Sequence, residues 1–70
     1  MTQPWTADDV RGLPVTVDLV TAGAVLGMGR TATYEAQRRG DFPVPVLRLG
    51  HRYRVVTAHL QRLLGLDSPR

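Results

Sequence analysis

The chain has no cysteine and no lysine, and its aromatic residues are few: Trp5, Tyr34, Phe42 and Tyr53. Without cysteine, neither a disulfide framework nor a thiolate zinc site is available, so two common staples of very small domains are excluded. No segment approaches the roughly 20 apolar residues that a bilayer-spanning helix requires. The N-terminus shows no basic stretch leading into an apolar run, so a cytoplasmic protein without membrane contact is expected. At 70 residues there is room for one domain. A domain of this size buries only about 60% of the surface its unfolded chain exposes, so its core must be used sparingly. The balance of 43% hydrophobic against 21% charged residues is nonetheless that of a folded chain.

All nine basic residues are arginine. Arginine offers a rigid planar fork of donors that matches phosphates and guanine edges, although GC-rich coding also favours it over lysine. Position tells more than number. From Met28 to Leu64, Arg30, Arg38, Arg39, Arg48, Arg52, Arg54 and Arg62 face Glu35 and Asp41, a net +5. In the first 27 residues, Arg11 faces Asp8, Asp9 and Asp18, a net −2. Basic charge is thus concentrated in one part of the chain, as expected of a surface that meets a polyanion.

Residues 1–15 contain Pro4, Gly12 and Pro14 and no sustained apolar period, and are expected to form a flexible arm anchored, if at all, by Trp5. A short helical turn is allowed after Thr6, where Asp8 and Asp9 complete a cap-plus-acid pattern. Asp18 can cap a first helix over 19–26, in which Leu19, Ala22, Gly23, Val25 and Leu26 recur on one face. Gly23 costs about 1 kcal/mol relative to alanine inside a helix, which suggests close approach of a neighbour. Gly27-Met28-Gly29 breaks the period, with Gly27 suited to a left-handed cap. A second helix then runs from Arg30 to Arg39, closed by Gly40 and Pro43.

Two short helices joined through glycines form a helix-turn-helix pattern, whose second helix enters the major groove of DNA. At 100° per residue, Arg30, Thr31, Tyr34, Glu35 and Arg38 share one arc of that second helix, with Ala32, Thr33 and Ala36 opposite. The same arc also fits a solvated polar face. Val46–Leu49 reads as a strand, Gly50-His51 as a tight turn, and Arg52–Val56 as an alternating strand, so the pair is expected to be a β-hairpin. If Tyr53 and Val55 face inward, Arg52 and Arg54 face outward. Thr57 is expected to cap a last helix over 58–64, with Leu60, Leu63 and Leu64 closing the core. Residues 67–70 are expected to fray.

The strings Ala24–Tyr34, Arg39-Gly40-Asp41-Phe42-Pro43 and Leu49–Val55 resemble the small excisionase-like and MerR-type winged helix-turn-helix family over residues 16–66. The resemblance implies a mainly α fold with a small β-hairpin wing, and binding of double-stranded DNA without catalysis or cofactor. It implies a DNA-reading helix carrying Arg30, Thr31, Tyr34, Glu35 and Arg38, and a wing carrying Arg48, His51, Arg52 and Arg54. Gly29 stands where that family usually has a serine or asparagine cap, and His51 stands at a wing-tip position that is commonly arginine. As an excisionase-like recombination directionality factor, the protein would occupy adjacent sites in several copies, bend DNA and bias an integrase towards excision. With no dimerising helix after Leu66, that role stands ahead of a small MerR-like or prophage-type transcription regulator. A non-enzymatic protein-interaction module using Trp5, Tyr34 and Leu66 is the alternative of another class.

Two patterns mislead. Gly27–Ala32 fits the spacing of a dinucleotide fingerprint but follows a helix instead of the strand of a βαβ unit. His51 and His59 are too few and too differently placed for a metal site. The six acids are scattered, and no nucleophile, base and orienting acid can be assembled into an enzyme site.

Overall fold

A computed structural model describes residues 5–66. Four helices and a small three-stranded antiparallel sheet make up a mainly helical domain among these residues. In chain order they are α1 (Ala7–Arg11), β1 (Thr16–Asp18), α2 (Leu19–Val25), α3 (Arg30–Arg39), β2 (Leu47–Leu49), β3 (Arg52–Val56) and α4 (Thr57–Leu63). The sheet order is β1-β3-β2. The fraying expected of residues 67–70 lies outside the described residues.

The stretch expected to be an arm is structured from Thr6 onwards. Thr6 Oγ1 accepts from the Asp9 N–H and Asp9 Oδ2 from the Thr6 N–H, each at 3.0 Å, a reciprocal capping box. Val10, only 2% exposed, turns α1 inward, and Gln61 Nε2 on α4 donates to the Val10 carbonyl at 3.3 Å. One buried valine in five residues is too little periodicity to distinguish a docked helix from a free one in sequence.

Asp18 ends β1 and caps α2 by accepting from the Thr21 N–H at 2.9 Å. The exit from α2 is a paired-bond cap: Gly27 N–H donates to Ala24 O at 3.0 Å and Met28 N–H to Gly23 O at 2.7 Å. Gly27 takes φ 80°, a conformation that strains other residues. Across this turn α2 and α3 pack closely. A Cβ placed on Gly23 would lie 1.9 Å from Thr33 Oγ1, so only glycine fits while Thr33 keeps its place. Thr33 is fully buried, and its hydroxyl donates to the Gly29 carbonyl at 2.7 Å. Ala36 is buried beside it, whereas Ala32, expected on the same packed side, lies at the rim of the arc and is exposed.

Gly50-His51 joins β2 to β3 as a two-residue hairpin, with Leu49 opposite Arg52, Arg48 opposite Tyr53 and Leu47 opposite Arg54. On its other side β3 pairs with β1, placing Val17 opposite Val55 and Asp18 opposite Arg54. This third strand is an addition to the hairpin expected from sequence. The core gathers Val17, Leu19, Ala22, Val44, Val55 and Leu60, with Leu13, Leu26, Phe42, Val46 and Tyr53 against it.

β3 passes directly into α4, and two expectations are corrected there. Val56, not Thr57, occupies the capping position; the buried Thr57 hydroxyl donates instead to the Pro14 carbonyl, which fastens α4 to the segment before β1. Leu60 is fully buried, but Leu63 and Leu64 are 49% and 40% exposed, because the turn after Leu60 runs past the buried cluster.

Candidate nucleic-acid interface

Burying Thr33 and Ala36 turns the opposite arc of α3 outward, so Arg30, Thr31, Tyr34 and Arg38 are exposed and Glu35 is half-buried. Glu35 Oε2 accepts from Arg38 at 3.2 Å, an i,i+3 surface pair that fixes the guanidinium more than it stabilises the fold. Arg39 pairs with Asp41 at 3.1 Å and Arg11 with Asp8 at 3.7 Å. Among the described residues, Arg30, Arg48, Arg52, Arg54 and Arg62 have no carboxylate ion-pair partner.

The hairpin rises beside this arc. Residues directly opposite across a ladder share a face, so Arg48 and Tyr53 lie on one side and Leu47, Leu49, Arg52 and Arg54 on the other. The Arg48 guanidinium carbon lies 6.0 Å from the centre of the Tyr53 ring, at the outer limit of a cation–π contact. His51 is exposed at the hairpin tip.

Between α3 and β3 lie two adjoining clefts that share Tyr34 and Tyr53. One, of about 520 Å³, is lined by Tyr34, Gln37, Arg38 and Tyr53. The other, of about 360 Å³, is lined by Asp18, Leu19, Val20, Tyr34 and the run His51–Arg54. The fold therefore gathers Tyr34, Arg38, His51, Arg52 and Arg54 around one concave surface. Arg30, Thr31, Glu35 and Arg48 line neither cleft.

Arg54 points away from the core, as alternation predicts, but is half-buried and committed. Its Nη2 donates to Thr16 Oγ1 at 3.1 Å and to Thr16 O at 3.3 Å, bracing β3 on β1. Hydrogen bonding from Thr21, side chain first and backbone second, holds the Asp18 carboxyl below its ordinary range; the Arg54 charge adds to this and partial burial opposes it.

Sequence reasoning assigned Tyr53 to the core and passed over Gln37. Tyr53 is half-buried and lines both clefts, while Gln37 sits one turn after Tyr34 on α3. The i,i+3 spacing of Tyr34 and Gln37 was a usable signal; the placement of β3 beside them was not.

Among the described residues no cluster of three or more His, Cys, Asp or Glu could hold a metal ion, and no helix is long and apolar enough to cross a membrane. No protein-family model, curated protein or solved structure matches this chain.

Proposed function

We propose that the chain is a winged helix-turn-helix protein that binds double-stranded DNA without catalysing a reaction, with α3 in the major groove and the β2–β3 hairpin as the wing. The observation that carries this reading is the shared surface of α3 and the hairpin. An arc of donor-rich side chains and a basic hairpin border one concave region, on which Arg52 has no carboxylate partner among the described residues and Arg38 engages only part of its donor fork. Arg30 reads bases in this arrangement, Arg38 stands where α3 meets the hairpin, and Arg48, His51 and Arg52 supply positive potential along the backbone. Arg54 serves chiefly as an internal brace. Among DNA-binding roles, the resemblance favours an excisionase-like accessory factor that bends DNA in concert with an integrase, acting as several copies on adjacent sites.

Selection from a pool of randomised duplexes tests this reading. The expected result is an enriched sequence, bound in a salt-dependent manner. Arg30→Ala is expected to weaken binding to that sequence more than to random duplex, by the roughly 1–3 kcal/mol of a lost bidentate base contact. Equal weakening on both would make Arg30 a backbone contact, and no retained duplex would overturn the reading. A circular-permutation assay on the selected duplex then separates bending from straight binding by a conventional regulator.

A protein-interaction module is the second reading, favoured by Leu47 and Leu49, which are 42% and 60% exposed on the outer face of the hairpin. It stands in place of the first if no duplex is retained.

A further inference from the structure

The larger cleft between α3 and β3 is lined by four residues that each carry a hydrogen-bond donor. Tyr34 and Tyr53 carry phenolic O–H donors, Gln37 an amide NH₂ and Arg38 a guanidinium, and no carboxylate lines the cleft. Arg38 gives Nη2 to Glu35 at 3.2 Å, which leaves other N–H groups of its five-donor fork available. Arg48, on the same hairpin face as Tyr53 with its guanidinium carbon 6.0 Å from the ring centre, adds positive charge beside the cleft. Four donor-bearing residues, one of them cationic, around an open cleft of about 520 Å³ suit a small oxyanion better than a cation.

We infer that this cleft seats one backbone phosphate of the duplex. The hydroxyls of Tyr34 and Tyr53, the Gln37 amide and the Arg38 guanidinium receive it. The inference rests on the proposed duplex binding and adds the subsite at which α3 and the hairpin grip a single phosphate together. It also reverses the simplest use of the hairpin. Alternation directs Arg52 and Arg54 outward, but Arg54 is held by Thr16, so that face offers Arg52 alone and the face bearing Tyr53 shares in the grip.

Neutral and charged donors leave different signatures. Tyr53→Phe keeps the ring and removes only the hydroxyl. It is expected to weaken binding to the selected duplex roughly five- to tenfold, with the slope of log affinity against log salt unchanged. Arg38→Met is expected to lower that slope by about 0.9, the share of one phosphate contact. Gln37→Glu, nearly isosteric but anionic, is expected to weaken binding at least as much as Tyr53→Phe. Duplexes carrying a single methylphosphonate locate the subsite: one position should penalise the wild type and penalise Tyr53→Phe less. Melting temperatures close to that of the wild type exclude misfolding as the cause, and either cleft variant suffices if the other unfolds. If the wild type binds duplex while Tyr53→Phe and Gln37→Glu match it in affinity and methylphosphonate profile, this inference falls and duplex binding stands. If the wild type retains no duplex, both fall.

Discussion

β1 and β2 flank the same central strand, yet they are built differently. β1 buries Val17 at 5% exposure, uses Asp18 to cap α2 and offers Thr16 to Arg54. Every residue of β2 is exposed. The contrast extends to the neighbours of each strand: β1 leads into the tightly packed pair α2–α3, whereas β2 is reached through the proline-bounded segment Pro43-Val44-Pro45 and turns straight back at Gly50-His51. A small domain cannot bury every element. Here the β1 side holds the fold together and the β2 side is left exposed, which separates residues whose loss should unfold the protein from residues whose loss should leave the fold intact.

The strongest test of the packed side is Gly23→Ala. The added Cβ would meet Thr33 Oγ1 at 1.9 Å, and Thr33 is fully buried and hydrogen-bonded to Gly29, so it has little room to yield. Destabilisation of about 3 kcal/mol is expected, at the upper end for overpacking. In a domain of this size that lowers Tm by roughly 15 °C. Thermal unfolding measures it, and Thr33→Ala in the same chain should recover part of the loss. A Gly23→Ala protein that melts like the wild type would remove the close helix contact from the explanation of the packed side.

This packed side also shows what a sequence can and cannot reveal. The bounds of α3 were legible because Gly27-Met28-Gly29, Gly40 and Pro43 act locally, and the α2 start because Asp18 caps within three residues. Gly23 was read as a site of close approach from its cost in a helix, and Thr33 is the residue it admits. β1 was not legible: three residues hold too short an alternation, and the partner that makes them a strand lies 38 residues away. Thr57 carried a valid capping signal that tertiary structure overrode with the Pro14 carbonyl. In the candidate site, helical period alone sorted the outward arc of α3. The cleft required knowing that Tyr53 comes to lie beside Tyr34 and Gln37, a fact of packing that no local pattern contains.

Asp18 gives a smaller effect with a pH signature. Asp18→Ala is expected to cost about 1 kcal/mol at neutral pH through loss of the α2 cap. The folded-state pKa of Asp18 lies below its unfolded value, so its charge contributes fully above the unfolded range and that contribution is lost as pH falls through the lowered folded value. Asp18→Asn keeps a good capping side chain but cannot titrate. The stability advantage of wild type over Asp18→Asn should therefore shrink on acidification below about pH 4, followed by denaturant unfolding at several pH values. A constant difference across that range would mean that the carboxylate charge adds nothing beyond the hydrogen bond.

The smallest expected effect belongs to β2. Leu49 and Leu47 stand on the outer hairpin face beside Arg52 and Arg54, opposite to Tyr53, and line neither cleft. Leu49→Ser is expected to change stability by no more than about 0.5 kcal/mol, the ordinary range for a surface substitution. Because Leu49 lines neither cleft and carries no donor, the substitution should also leave affinity for the selected duplex unchanged. Both outcomes follow from the same geometry, since an exposed leucine that supports neither core nor cleft has nothing in the single chain to lose. Denaturant unfolding should be run at two protein concentrations. A loss well above 0.5 kcal/mol that grows with protein concentration would show that the outer face is covered by a second copy, so that β2, like β1, is held by packing and the contrast between the two edges describes the isolated chain alone.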